Sequence, residues 1–336
     1  MTERLLEVKN LETFFFVRRG IAKAVNGVSF TLNRGEVLGL VGESGCGKSV
    51  TALSILGLVP SPPGKIVGGE ILFNSREESG SENEVDLLKL NQTEMREYRG
   101  KRMTVILQDP MTSLNPVYNI GNQVAEPFRL HEKLKGQNLL KKVISVLTRV
   151  RIPNPEVRIT DYPHQFSGGM RQRVSMAMGV GCNPQLLIAD EPTTALDVTI
   201  QAQLLKLLEQ IQQEYEMAII LITHNLGIVA RLCDRVCVMY AGQIVEEGSV
   251  RRIFKEPSHP YTRALMDSVP RLGLKEKKLY SIEGQPPNLL YLPTGCSFWP
   301  RCTFADDKCQ RDFPPITTIE NQDYVRCWKF SGGSVS

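Results

Sequence analysis

The most specific chemistry in this chain lies in Gly42-Glu43-Ser44-Gly45-Cys46-Gly47-Lys48-Ser49. The spacing fits G-x-x-x-x-G-K-[ST], a loop that cradles nucleotide phosphates. Glycines let the backbone curl tightly and approach phosphate oxygens with no Cβ in the way. The loop N–H groups then converge as an anion nest, and the start of the following helix adds partial positive charge. The Lys48 ammonium would neutralise the β- and γ-phosphates, and the Ser49 hydroxyl would ligate Mg²⁺. The nucleotide-binding set read from this stretch is Gly42, Ser44, Gly45, Cys46, Gly47, Lys48, Ser49 and Val50.

The elements around the loop agree with this reading. Residues 36–41 form a short, mostly apolar run that reads as a buried strand, and residues 50–58 are apolar at helical spacing. A second apolar run, Leu186-Leu187-Ile188-Ala189, ends in Asp190-Glu191. In P-loop ATPases the first acid, here Asp190, holds Mg²⁺ through its water shell, and the next, Glu191, polarises the attacking water. Phe14-Phe15-Phe16 precedes the loop. One ring, with Phe15 favoured, could stack on an adenine base; the alternative is that all three are sheet core.

Further strands are expected at residues 5–8, 13–17, 28–32, 69–74, 103–107, 185–189 and 217–223. Residues 75–86 carry five acidic side chains and read as a solvated surface loop. Helical spacing runs through 120–150, 167–182, 199–216 and 226–232, and residues 236–240 and 243–247 read as a hairpin turned at Ala241-Gly242. Nine of the 20 prolines follow residue 250, so the last segment should be loop-rich and in need of a staple.

Phe166-Ser167-Gly168-Gly169-Met170-Arg171-Gln172 makes a family resemblance specific. The chain resembles the ATP-binding subunit of an ABC transporter. Ser167, Gly168 and Gly169 match that family's signature motif, with Phe166 and Met170 where Leu and Gln are commoner. The resemblance implies that this helix start grips the γ-phosphate bound by the opposite subunit. Physically it is a second helix N-terminus with small residues, although Ser-Gly-Gly by itself is also an ordinary helix cap. The resemblance further implies that Gln108 meets Mg²⁺ or the attacking water, that Ala195-Leu196-Asp197 crosses the dimer interface, and that His224 is the switch histidine near the γ-phosphate. Glu191, His224 and Gln108 are thus the catalytic set, and Ser49, Gln108 and Asp190 the Mg²⁺ set.

Two segments narrow the branch. Gln108-Asp109-Pro110-Met111-Thr112-Ser113-Leu114-Asn115-Pro116 and Ser258-His259-Pro260-Tyr261-Thr262-Arg263-Ala264-Leu265 resemble the dipeptide/oligopeptide importer group, which includes carriers of nickel and other solutes. The second segment also reads as a capped docking helix. The length of the C-terminal extension favours peptide. The implied partners are a second, paralogous ABC ATPase in a heterodimer, two membrane permeases and an extracytoplasmic peptide-binding protein, with no nucleic acid. The expected fold is α/β: a P-loop ATPase core sheet, an N-terminal antiparallel β element, a helical subdomain and a loop-rich C-terminal extension. The expected domains are 1–250 for ATP binding, with the helical subdomain at about 110–183, and 251–336 for the extension.

Composition is compatible with this. The net charge of +4 does not argue for a nucleic-acid partner, and no run approaches the ~18 apolar residues of a membrane span. The N-terminus lacks a signal-peptide layout, so the expected location is the cytoplasmic face of the membrane, held peripherally. A soluble ABC-type ATPase acting on nucleic acid or ribosomes, and a redox sensor, are the other classes considered.

Of eight cysteines, Cys46, Cys182, Cys233 and Cys237 are scattered and read as packing residues. The other four stand as Cys296-x₅-Cys302-x₆-Cys309-x₁₇-Cys327. This is not the Cys-x₂-Cys knuckle of common zinc sites, whereas four thiolates on irregular loops suit a [4Fe–4S] cluster. The resemblance implies such a cluster; Zn²⁺, free thiols and disulfides are the alternatives.

Replacing Lys48 by Ala should abolish ATP hydrolysis in the assembled complex, because the phosphate charge loses its counter-charge. Turnover equal to wild type, measured by phosphate release, would remove the loop from the mechanism.

Overall fold

The structure is a computed structural model and describes residues 3–76, 82–107, 113–194, 196–268, 282–320 and 323–331. The chain begins with β1 (Arg4–Val17), β2 (Gly20–Asn33), β3 (Val37–Val41), α1 (Lys48–Ile55), β4 (Gly64–Arg76), β5 (Glu82–Asp86), α2 (Gln92–Tyr98) and β6 (Met103–Ile106). A helical stretch follows: α3 (Ile120–His131), α4 (Gly136–Arg149), α5 (Pro155–Arg158) and α6 (Gly168–Val180). Then come β7 (Leu186–Asp190), α7 (Val198–Tyr215), β8 (Ala218–Ile222), α8 (Leu226–Leu232), β9 (Arg235–Tyr240), β10 (Gln243–Ser249), α9 (Val250–Lys255) and α10 (Pro260–Asp267). The last segment holds α11 (Asp307–Arg311) and the two-residue strands β11 (Thr317–Thr318) and β12 (Tyr324–Val325).

Contacts divide the chain into two units. One comprises Met1–Leu5, Asn33–Glu36 and Phe73–Leu221; the other comprises Leu6–Leu32, Val37–Leu72 and Ile222–Ser336. In the first, β8, β7 and β6 are neighbours in that order, and β6 runs parallel to β7 with Met103 opposite Leu186. Every residue of β7 and β8 is buried, as expected of parallel strands covered on both faces. The helical stretch packs α3 against α4 and α6, with Val124 and Phe128 buried on α3 and Val143 and Leu147 buried on α4.

In the second unit, β3 runs parallel to β9 with Val41 opposite Val238. β9 and β10 form the expected hairpin, and Ala241 and Gly242 take φ of 48° and 83° at its turn. The C-terminal segment does not stand apart here: β12 pairs antiparallel with β10, placing Val325 opposite Glu246.

Two expectations are corrected. The first 33 residues form two long strands rather than three short ones. Lys9-Asn10 looks like a break, but Asn10 takes a left-handed φ of 46° as a local kink. Its N–H donates to Ser29 Oγ at 2.8 Å, which carries β1 past the kink alongside β2. Nor is the acidic stretch 75–86 all loop, since residues 82–86 form β5, an edge strand beside β4. Asn74 Nδ2 donates to Glu82 and Ser75 Oγ to the Asn83 carbonyl. The acidic side chains suit an edge, where charge discourages pairing with another chain.

A buried polar knot fastens α9 and the start of α10. Glu246 is fully buried, and its carboxylate accepts from Ser258 N–H at 2.8 Å, His259 N–H at 2.9 Å and Arg252 Nη1 at 2.9 Å. Arg252 Nε also reaches Asp323 at 2.7 Å, tying in the last segment. Arg252→Ala would leave the Glu246 charge buried without its counter-ion. It should cost about 3 kcal/mol of stability, read as a lower thermal midpoint; an unchanged midpoint would show that the backbone donors suffice.

Candidate functional site

Strand β3 delivers the chain to the phosphate loop, and two glycines there have no substitute. Gly42 and Gly47 take φ of 151° and 105°, and a Cβ on either would strike a carbonyl oxygen, of Met239 and Ala24 respectively. Lys48 opens α1, is 7% exposed, and donates to the carbonyls of Gly42 and Glu43, both at 2.9 Å. No side chain caps α1, so none competes for its first N–H groups. Ser44, Gly45 and Ser49 are exposed, Val50 is half-buried, and Cys46 is buried. Burial raises the Cys46 thiol despite the nearby Lys48, as suits a packing residue. Its carbonyl accepts from Gly242 N–H at 2.9 Å, which ties the loop to the β9–β10 turn.

The sequence reading missed the groups that brace this loop. Glu43 N–H donates to the Tyr261 hydroxyl at 2.8 Å, and the Glu43 carboxylate takes both terminal nitrogens of Arg301. His259 caps α10, with Nδ1 accepting from Tyr261 N–H at 3.0 Å, so the expected capped helix is present at Pro260–Asp267. His259 is fully buried, and burial depresses its pKa to about 3, so it stays neutral. The His-Pro-Tyr pattern was visible in sequence, whereas Arg301 carried no signal because its partner is 258 positions away.

None of the three phenylalanines is core. Phe14 lies under the Lys23 ammonium, 5.6 Å from its ring centroid, and Phe16 is 47% exposed. Phe15 is half-buried beside Gly64, on the face of β1 shared with Thr13, whose hydroxyl is 2.8 Å from that of Ser54 on α1. His224 is exposed and precedes Asn225, the N-cap of α8.

The other unit holds the acidic pair and the signature helix. Asp190 ends β7 and is 7% exposed. Glu191 turns the chain out of the strand with a left-handed φ of 46°, and its carboxylate accepts from Thr194 Oγ1 at 2.8 Å. Such a conformation in a non-glycine residue is held only by its surroundings. Ser167 caps α6 by accepting from Met170 N–H at 3.3 Å. Gly168 has room, but a Cβ on Gly169 would come within 2.6 Å of Ile200 on α7. Gln172 was also missed: it is 2% exposed, and its Nε2 donates to the Pro192 carbonyl at 2.6 Å. A polar side chain on the buried face of α6 was the available signal. Asp197 caps α7, accepting from Ile200 N–H at 2.9 Å. Lys48 and His224 fall in one unit and Asp190, Glu191 and Ser167 in the other; Gln108 and Ala195 lie outside the described residues.

Cys296, Cys302, Cys309 and Cys327, 31 positions from first to last by residue number, line one small cavity with His259, Phe298 and Trp328. Cys296 N–H donates to the Cys309 carbonyl at 2.8 Å. None of the four is in a disulfide. Burial pushes each pKa up, that of Cys296 to about 12, with the neighbouring thiols adding to it. Among the described residues no three His, Cys, Asp or Glu side chains are grouped to hold a metal ion, so the expected metal site has no geometric support beyond this shared cavity. Cys46, Cys233 and Cys237 are buried and Cys182 half-buried, as expected of packing residues.

The profile of the ABC transporter family matches residues 25–194, and that of the oligopeptide/dipeptide transporter C-terminal region matches residues 245–309. The chain is 48% identical over 326 residues to the dipeptide transport ATP-binding protein DppD of Bacillus subtilis, covering 97% of this chain and 95% of that one. It is 48% identical to the oligopeptide transport ATP-binding protein OppD of Haemophilus influenzae, covering 96% and 97%. Among solved structures, the dimeric ATP-binding cassette MJ0796 bound to ADP and Pi has the same fold, with a TM-score of 0.62, 23% identity, and coverage of 73% of this chain and 99% of that one.

Proposed function

This chain belongs to the ABC transporter family, as an ATP-binding subunit of the oligopeptide/dipeptide importer type, and on that premise we propose how its residues divide the work. It is the ATPase that powers import of dipeptides or oligopeptides. The observation that carries the substrate class is the match of residues 245–309 to the peptide-transporter C-terminal region, directly after the nucleotide motifs.

Lys48 and the loop N–H groups bind the β- and γ-phosphates, and Phe15 stacks on adenine. Ser49, Asp190 and Gln108 would hold Mg²⁺, which offsets phosphate charge as it develops. Glu191 polarises the attacking water, and His224 meets the γ-phosphate. Ser167, Gly168 and Gly169 grip the γ-phosphate held by a second, paralogous ATPase, and closure of that pair drives two permeases served by an extracytoplasmic peptide-binding protein. Attachment at the cytoplasmic face is peripheral, through the permeases; among the described residues no helix is long and apolar enough to cross a membrane.

Cys296, Cys302, Cys309 and Cys327 would hold a [4Fe–4S] cluster that staples the loop-rich extension. Four soft donors lining one small cavity support this. Zn²⁺ is the alternative.

Glu191→Gln should bind ATP but lower turnover in the assembled importer by about 100-fold or more, trapping the closed pair; wild-type rates would assign the base elsewhere. Iron and sulfide should each assay at about four per chain in protein purified without oxygen. One zinc and no iron would make the extension a zinc-stapled segment, and no metal would make the four cysteines packing residues.

A further inference from the structure

Glu43 fills one of the free positions of the phosphate loop, yet each of its polar groups is engaged. Its N–H donates to the Tyr261 hydroxyl at 2.8 Å, and its carbonyl accepts from the Lys48 ammonium at 2.9 Å. Its carboxylate is held by Arg301 through Nη1–Oε2 at 2.6 Å and Nη2–Oε1 at 3.0 Å, the paired geometry that fixes both direction and distance. The Arg301 side chain is 4% exposed. Its remaining donors reach the Glu283 carbonyl at 2.9 Å, the Ile282 carbonyl at 3.3 Å and the Tyr240 hydroxyl at 3.3 Å. A guanidinium so enclosed cannot follow Glu43 into water if the loop shifts.

Arg301 is also part of the cysteine element. Trp299 N–H donates to the Cys296 carbonyl at 3.0 Å, Arg301 N–H to Phe298 at 3.0 Å and Cys302 N–H to Trp299 at 3.2 Å. Residues 296–302 are therefore one continuous run of turns, with a cavity-lining thiol at each end and the arginine beside the second. Phe298 in the same run packs on Tyr240, Tyr261 and His259, with ring centroids at 5.2, 5.4 and 5.8 Å. Any displacement of this run moves both supports of Glu43, the guanidinium and the ring behind Tyr261. Lys48, bonded to the Glu43 carbonyl, shares in that displacement.

We propose that Arg301 is a positioning residue that couples the four-cysteine element to the phosphate loop, so that the state of those thiols sets the affinity for ATP. The inference rests on the nucleotide reading above, and on the cysteine element whichever metal it holds. Such coupling is reciprocal: ATP on the loop must bias the thiol site by the same factor.

The test is a calorimetric titration of the full chain with ATP and Mg²⁺ for wild type, Arg301→Gln, Cys302→Ser and the double variant. Each single change should weaken ATP binding about five- to tenfold, and the double variant should lose no more than either alone. Glu43→Gln, which cuts the same pair from the other side with the cysteines intact, should match Arg301→Gln, and Arg301→Lys should recover part of the loss. In the assembled importer the loss should fall on KM rather than kcat. ATP should slow alkylation of the four thiols in wild type but not in Arg301→Gln. Additive losses, or unaltered affinity in Arg301→Gln, would overturn the coupling. Wild type that binds no ATP would instead sink the nucleotide reading. Metal content of the same preparations tests the cluster separately, since the affinity cycle is decisive with or without it.

Discussion

The phosphate loop depends on two carbonyl groups standing where side chains would otherwise be. The Ala24 oxygen on β2 occupies the place of a Cβ on Gly47, and the Met239 oxygen on β9 that of a Cβ on Gly42. Glycine is thus required by the approach of two neighbouring strands as well as by the positive φ of each residue. The loop is a junction of β2, the β3–α1 connection and the β9–β10 hairpin. The bond from Gly242 N–H to the Cys46 carbonyl closes it from the hairpin side. Lys48, nearly buried and bonded to two loop carbonyls, is held in place before any phosphate arrives.

The C-terminal extension completes this junction. β12 adds to β10, Arg252 binds Glu246 and Asp323 together, and α10 presents Tyr261 to the loop backbone. The buried knot around Glu246 is worth most as geometry. A buried charge network adds little net stability, but removing a member is costly, so the arrangement is held in one form. A segment rich in proline and poor in regular structure thereby acquires a defined position against the nucleotide loop.

Legibility from sequence varied with the range of the determining contact. The hairpin at Ala241-Gly242 and the buried strands β3, β7 and β8 were readable because turn chemistry and apolar runs are local. The kink at Asn10 was not, since a polar pair within a strand looks like its end unless the Ser29 hydroxyl opposite is known. The acidic strand β5 is not legible locally, because pairing with β4 decides it and its own composition opposes it. Gln172 was passed over because its partner, the Pro192 carbonyl, is a backbone group and leaves no trace in residue type.

By itself the sequence determined the chemistry that eight or fewer consecutive residues can hold: the phosphate loop, the acidic strand end and the Ser-Gly-Gly helix start. Those motifs are legible because backbone geometry links residue spacing to atom positions over such short distances. Only the tertiary structure decided that four cysteines share one cavity, that Tyr261 supports the loop, and that Arg301 grips Glu43. Groups so far apart in the chain meet because strands pair and helices pack, and no local spacing encodes which distant side chain completes a charge pair.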